Sequence, residues 1–407
     1  MIKRDYYLNQ LIKLKDQKVI KVITGIRRSG KSTLLALFRD ELKNMGIKSA
    51  QIQSFNFEEE SNVELRDWRA LHQRIEQKLV PDAMNYIFLD EIQKVEHFEE
   101  AVDSLFVKEN VDLYITGSNA FLLSGELATY LTGRYISIHM LPFSFAEYCE
   151  ANSEEMDENK LFMDYLNSSS FPEAVNLSNV DAKLAHNYLK DLYDTIINKD
   201  IATRFEIRNQ PEFLRVAKYL FANIGNPTSA RTVANVLNGA SGNMAHNTVV
   251  KYMDYLSQSY LLYPVSRYDV KGKKLLTTND KYYAVDLGLR QMLLNSSLES
   301  DLGHKLENIV YLELLKRNEG EVMVGKAEES EVDFIVQKPG GERVYYQVAY
   351  HITSEEILQR ELRPFVKIRD NYPKILLTLD MVNEEYSGIQ KINLVKWLLE
   401  NWLNNTI

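Results

Sequence analysis

At 407 residues, with 45% apolar and 26% charged residues and a formal net charge of −9, the chain reads as a soluble, multidomain globular protein and excludes a disordered or fibrous one. The acidic balance argues against nucleic-acid binding by the surface as a whole but leaves room for a local basic patch. No apolar run approaches a membrane span. The single cysteine, Cys149, excludes an internal disulfide framework or a thiolate metal cluster, so a reducing cytoplasm is expected.

The first strong pattern in chain order is Val19-Ile20-Lys21-Val22-Ile23-Thr24, a short β-branched run that reads as a buried strand. It leads into Gly25-Ile26-Arg27-Arg28-Ser29-Gly30-Lys31-Ser32, the pattern G-x-x-x-x-G-K-S. Leu34, Leu35, Leu37, Phe38 and Leu42 then mark one face of a helix. Strand, glycine-rich loop and helix in this order form a phosphate loop. The glycines let backbone amides converge on phosphate oxygens, and the helix N-terminus adds partial positive charge. Gly25, Arg28, Ser29, Gly30, Lys31, Ser32 and Thr33 are the expected nucleotide contacts, with Lys31 on the β- and γ-phosphates and the Ser32 hydroxyl on Mg²⁺.

Strand-like and helix-like segments then alternate as a parallel α/β sheet requires. Gln51 to Asn56 reads as a second strand and Tyr86 to Glu91 as a third, ending in two acids. At the carboxyl edge of such a sheet Asp90 would hold Mg²⁺, and Glu91 would orient and deprotonate an attacking water. The acidic pair favours ATP over GTP as substrate. A fourth strand, Val111 to Thr116, ends in Gly117-Ser118-Asn119, where Ser118 and Asn119 are both candidate γ-phosphate sensors, Asn119 slightly favoured, and a helix cap is the alternative. Arg134, before a fifth strand at Tyr135 to Ile138, is a candidate finger for a neighbouring subunit's phosphate or a helix-terminal arginine that complements the dipole. Asn56 is either a restraint on Glu91 or an ordinary polar strand end.

This order of motifs resembles the bacterial and archaeal AAA-type ATPases that share a C-terminal region of unknown function. The matching residues are Thr24 to Ser32, Phe88 to Gln93, Thr116 to Asn119, Leu131 to Arg134, Leu141 to Phe145, Phe171 to Glu173 and Lys281 to Arg290. The resemblance implies ATP binding and hydrolysis with Mg²⁺. It also implies that Asp200 and Arg204 belong to a recurrent charged segment, for which a structural ion pair is an equal reading.

Beyond Pro142 the pattern turns helical, and Gln210 to Val285 reads as a winged helix. Its helices are expected over Pro211 to Ala222, Ser229 to Leu237 and His246 to Ser257. Leu261 to Val265 and Lys281 to Val285 would be wing strands around a basic tip, Lys271-Gly272-Lys273-Lys274. The third helix offers Lys251 but also Asp254, thin charge for a DNA reader. From Asp301 a helix with Glu307, a strand with Asp333 and a hairpin outline a restriction-endonuclease-like fold. Gln347 stands at its second acidic place and Ala349 where its lysine belongs, so a scaffold is expected and nuclease activity is not.

The expected architecture is therefore α/β throughout: a P-loop ATPase core (1–140), a helical lid (141–205), a winged helix (206–295) and an inactive nuclease-like domain (296–407). The expected function is a Mg²⁺-dependent ATPase acting as a nucleotide-driven switch toward a protein partner, with homo-oligomerisation left open and no membrane involved. An ATP-controlled DNA-binding protein or nuclease is the alternative.

Overall fold

The computed structural model describes residues 2–118, 133–152, 157–239, 244–294 and 301–400. The chain divides into two compact units, Met1–Pro142 with Gln258–Tyr260, and Phe143–Ser257 with Leu261–Ile407.

In the first unit α1 (Asp5–Leu14) precedes β1 (Ile20–Thr24), α2 (Lys31–Asn44), β2 (Ile52–Asn56), α3 (Trp68–Glu76), β3 (Asn85–Asp90), α4 (Phe98–Phe106), β4 (Val111–Gly117) and β5 (Tyr135–His139). All five strands run parallel in the order β2-β3-β4-β1-β5. Every residue of β1, β3 and β4 is buried, as expected for central strands covered by helices on both faces. Alternation along the strands divides the core in two. Val22, Ile87, Leu89 and Ile115 pack with Leu71, Ile75, Val102 and Leu105 on one face. Ile23, Phe88 and Tyr114 pack with Leu11, Leu34, Phe38 and Leu42 on the other.

One polar pair interrupts this apolar sheet. Lys21 of β1 is fully buried, donates to the Asp112 carboxylate of β4 and gives a second bond to the Gln17 carbonyl at 2.8 Å. Asp112 also accepts from the Tyr114 hydroxyl at 2.7 Å and the Asp16 amide at 3.0 Å, so both charges are compensated where burial would otherwise be costly.

The second unit opens with α5 (Phe145–Ala151), α6 (Glu158–Asn167), α7 (Pro172–Ser178) and α8 (Ala182–Thr195), which runs into a π-helical stretch, Ile196–Ala202. Ser144 and Glu147 form a reciprocal capping box at the start of α5. Three helices follow, α9 (Gln210–Ala222), α10 (Ala230–Asn238) and α11 (His246–Gln258), and then a hairpin of β6 (Leu262–Asp269) and β7 (Lys274–Ala284). The remainder is α12 (Leu287–Leu294), α13 (Leu302–Arg317), β8 (Glu321–Ala327), β9 (Ser330–Gln337), β10 (Arg343–Val348), α14 (Glu355–Val366), β11 (Lys374–Thr378), β12 (Glu384–Tyr386), β13 (Ile389–Asn393) and α15 (Leu394–Leu399).

Eight of these strands form one sheet, β12-β13-β11-β10-β9-β8-β6-β7. The three-helix-plus-hairpin order expected of a winged helix is present, but β6 pairs in parallel with β8, Arg267 opposite Val324 and Asp269 opposite Lys326. The strands expected to form a wing and those expected of a nuclease-like fold thus share a sheet, and the three segments expected after residue 141 lie almost wholly in one unit. Among the described residues no helix is long and apolar enough to cross a membrane.

Candidate nucleotide site

The loop after β1 is built around backbone that only glycine tolerates. Gly25 has φ +142°, and a Cβ there would sit 2.1 Å from the Met140 carbonyl oxygen. That close approach follows from the parallel pairing of β1 with β5, continued by a bond from the Met140 amide to the Thr24 carbonyl at 2.8 Å. Gly30 caps α2 at φ +103°, and exposed Arg28 also takes a left-handed conformation at φ +67°. Ser32 and Thr33 are exposed in the first turn of α2, while Leu34 and Leu35 anchor the helix below.

Lys31, almost fully buried, folds back over this loop. Its Nζ donates to the Gly25 carbonyl at 3.0 Å and the Ile26 carbonyl at 3.1 Å, and it lies 4.0 Å from Glu91 Oε1. The Ser29 hydroxyl is buried and has no hydrogen-bond partner among the described residues. Such an orphan is costly unless something fills its valence, and a phosphate oxygen is a fitting acceptor. The cradle at Gly25 and this unsatisfied hydroxyl both fit a polyphosphate.

Asp90 and Glu91 end β3 beside the loop, both buried. One hydroxyl organises them. Thr116 of β4 donates to Asp90 Oδ1 and accepts from the Glu91 amide at 2.9 Å. Glu91 is held at φ +55°, a left-handed turn that ends the strand, and its Oε2 accepts from the Gln93 side chain. Gln93 also reaches toward the Ser118 hydroxyl at 3.5 Å.

Known proteins are similar to this chain. An AAA domain family matches residues 17–149, and a domain of unknown function (DUF8612) matches residues 159–300. An uncharacterized protein of Haemophilus influenzae is 39% identical over 406 residues, 98% of this chain and 99% of that protein. The chain belongs to this family of AAA-domain proteins. An uncharacterized protein of Methanocaldococcus jannaschii is 29% identical over 389 residues, 92% of this chain and 84% of that one. Among solved structures, the Walker-type ATPase of Pyrococcus abyssi aligns with a TM-score of 0.48 and 15% identity over 72% of this chain and 96% of that one. AMPPCP-bound DnaA from Aquifex aeolicus aligns with a TM-score of 0.31 and 12% identity over 62% and 86%.

The other residues singled out from the sequence of this family member distribute unevenly. Asn119 lies outside the described residues. Arg134 precedes β5 at the amino edge of the sheet, the edge opposite the loop, where it pairs with Asp103 of α4. Among the described residues Asn56 makes no hydrogen bond to Glu91. Its side chain accepts from the Glu58 amide at 2.9 Å to shape the turn after β2, and Gln93 holds Glu91 instead.

Three residues that sequence reasoning missed also hold the loop. Besides Thr116 there is Arg4, buried at the start of α1. It donates to the carbonyls of Ser29 at 3.1 Å and Leu141 at 2.7 Å, tying the back of the loop to the chain after β5. The third is His139, at the end of β5. Its Nδ1 lies 3.3 Å from the Thr24 hydroxyl, and its ring packs on Tyr260 with centroids 4.6 Å apart. Burial, with the Lys31 charge adding to it, lowers the His139 pKa from 6.5 to about 4. A histidine kept neutral in the fold but free to protonate when unfolded stabilises the protein fully above pH 6.5, and that contribution is lost as pH falls toward 4. Denaturant titrations are expected to show this acid-side loss in the parent and a flatter profile for His139→Gln.

In the second unit Glu307, Glu331 and Asp333 gather around one lysine. Lys281 Nζ lies 3.3 Å from Glu307 and 2.5 Å from Glu331, and Tyr283 donates to Glu307 at 3.1 Å. Burial opposes the Lys281 charge, but Glu307, Asp333 and Glu331 outweigh it and hold its pKa above the ordinary value. Asp333 is pushed up by burial and by Glu307. Its amide donates to the Gln347 side chain at 3.3 Å, and Gln347 donates to Glu361 at 3.4 Å. Gln347 is thus wired into the carboxylates as a neutral bridge.

Proposed function

We propose that the chain is a magnesium-dependent ATP hydrolase whose nucleotide state controls how its C-terminal unit engages a partner. The observation that carries this reading is the convergence of Lys31, Asp90 and Glu91 on one sheet edge, with Lys31 Nζ 4.0 Å from Glu91. In this reading Gly25, Arg28, Ser29, Gly30, Lys31, Ser32 and Thr33 receive the phosphates, chiefly through loop amides. Lys31 exchanges the Gly25 and Ile26 carbonyls for phosphate oxygens, and the Ser29 hydroxyl gains the acceptor it lacks. Ser32 and Asp90 would hold a magnesium ion, which neutralises phosphate charge when bound. Glu91 takes the proton of the attacking water, and Gln93 fixes its second oxygen so that the base faces one way. Asn119 stays a proposed γ-phosphate sensor.

Arg134 stands at the sheet edge opposite its own loop, which suits action on a neighbouring chain. Mixing Lys31→Ala and Arg134→Ala proteins is then expected to restore part of the turnover that each lacks alone. No recovery in the mixed sample would remove Arg134 from the catalytic set and withdraw the argument for an assembly.

In the C-terminal unit the ammonium of Lys281 already pairs with Glu307 and Glu331, and Ala349 supplies no acid–base group. We therefore read this unit as a partner-binding scaffold. The single Cys149 supports a cytoplasmic setting. Phosphate release by the full chain, with and without magnesium, tests the central reading. Folded protein that releases no phosphate from ATP would overturn it.

A further inference from the structure

The basic tip of the β6–β7 hairpin lies beside two other chain segments of the second unit. Val270, Lys271 and Lys273 line a cleft of about 550 Å³ together with Ala327 and Glu328 of the β8–β9 turn and the end of α14, Val366 to Asp370. Lys274 and Lys326 flank it, both opposite Asp269 in the strand pairings. Six cations (Lys271, Lys273, Lys274, Lys326, Lys367, Arg369) thus meet the carboxylates Asp269, Glu328 and Asp370, with Glu329 in the same turn and Glu331 paired opposite Lys326, in a chain whose net charge is −9.

The carboxylates are engaged locally. Asp269 accepts from the amides of Lys271 at 3.1 Å and Gly272 at 2.9 Å and so shapes the tip. Glu328 takes Lys271 at 3.1 Å and Lys367 at 4.0 Å. Asp370 accepts from the Tyr345 hydroxyl at 2.6 Å. Lys273, Lys274, Lys326 and Arg369 have no carboxylate within 4.0 Å among the described residues.

We propose that this cleft and hairpin tip form a sequence-independent docking surface for the phosphate backbone of duplex DNA. The cations stand on an exposed rim; the Lys271 side chain is 78% exposed. No buried cation points into the cleft to grip one compact phosphate, so affinity here must come from several weak contacts added together. A duplex supplies them, with about one charge per 1.7 Å of axis and counterions to release. An acidic polypeptide presents sparser charge on flexible side chains, each of which must be ordered on binding. Contacts of this kind position a duplex without reading bases, consistent with the thin charge of α11, the helix a base reader would use. This surface is separate from the nucleotide site, and its test needs no ATP.

The test is fluorescence anisotropy of a short labelled duplex of mixed sequence with the full chain, across a salt series. Saturable binding at low salt is expected, weakening steeply as salt rises. The triple variant Lys273→Gln, Lys274→Gln, Arg369→Gln should lose affinity at least tenfold at low salt. Its log–log salt slope should be shallower by about one for each cation removed. The charge-conserving variant Lys273→Arg, Lys274→Arg should keep parent affinity, and unchanged thermal melting of the triple variant excludes misfolding. The proposal fails if the parent does not bind the duplex, if the triple variant binds with the parent's affinity and slope, or if polyglutamate competes as well as unlabelled duplex.

Discussion

Glu91→Gln is expected to bind magnesium-loaded ATP within a few-fold of the parent and to hydrolyse it roughly 10²–10⁴-fold more slowly, the usual span for loss of a positioned general base. The substitution keeps the shape of the side chain, its left-handed turn and the amide bond to Thr116 that orders the end of β3. What it removes is the ability to take a proton. Binding and turnover should therefore separate, with calorimetry reading the first and phosphate release the second. Thr116→Val makes a useful companion, because it deletes one hydroxyl that serves Asp90 and Glu91 at once. It is expected to lower turnover while leaving both carboxylates in the chain. Parent-like turnover in Glu91→Gln would move the base to another group and leave the β3 terminus with a metal-holding role alone.

The nucleotide site was legible in the sequence because its chemistry is local. A phosphate loop needs its glycines, lysine and hydroxyl at fixed spacing between a strand and a helix, and all of them lie between Ile20 and Asn44. The three central strands of the first unit, β1, β3 and β4, were equally plain, since a central parallel strand buries both faces and shows as a largely apolar run. Arg4 could not be found this way. Its acceptors, Ser29 and Leu141, are 25 and 137 residues distant, and nothing near a basic N-terminus marks a buried guanidinium. Thr116 carried no mark of its own either; its role comes from β4 lying beside β3, a fact of strand order. Gln93 follows Glu91 by two residues and was within reach, but a short 3₁₀ turn folds its amide back over the carboxylate, and no periodicity signals that.

The second unit was harder to read for a related reason. β7 begins at Lys274, seven residues before the apolar stretch at Lys281 that marks a strand in the sequence, because Thr277, Thr278, Asn279 and Asp280 look like a loop. β8, Glu321–Ala327, has three bulky apolar side chains in a row, Val322, Met323 and Val324, between Glu321 and Gly325, and gave no clear alternation. Without β8 nothing linked the hairpin to the later strands. Once β8 is present, its parallel pairing with β6 joins the two regions into one sheet and brings Lys281 among Glu307, Glu331 and Asp333. A lysine missing from its place at Ala349 was readable; a lysine arriving from a strand far earlier in the chain was not.

Lys31→Ala is expected to weaken magnesium-ATP binding by roughly a hundred- to a thousandfold, about 3–4 kcal/mol, as the loss of two charge-assisted hydrogen bonds to phosphate would imply. The folded chain should survive the change. Leu34, Leu35 and Phe38 still pack α2 against the sheet, and Arg4 still holds the Ser29 carbonyl from behind. In the free protein Lys31 spends its donors on the Gly25 and Ile26 carbonyls, so its removal takes one donor from each, although the Ile26 carbonyl keeps the Ser29 amide at 3.2 Å, and is expected to lower the melting temperature modestly. Lys31→Arg gives the sharper comparison. It restores the charge but not the compact ammonium, and the larger fork must enter a loop closed at Gly25 by the Met140 carbonyl. Arginine should thus recover little of the affinity, because charge alone is not what the loop selects. Calorimetry on both variants decides the matter: an Ala variant within a few-fold of parent affinity would show that Lys31 is a structural brace for the loop, and that its phosphates are held elsewhere.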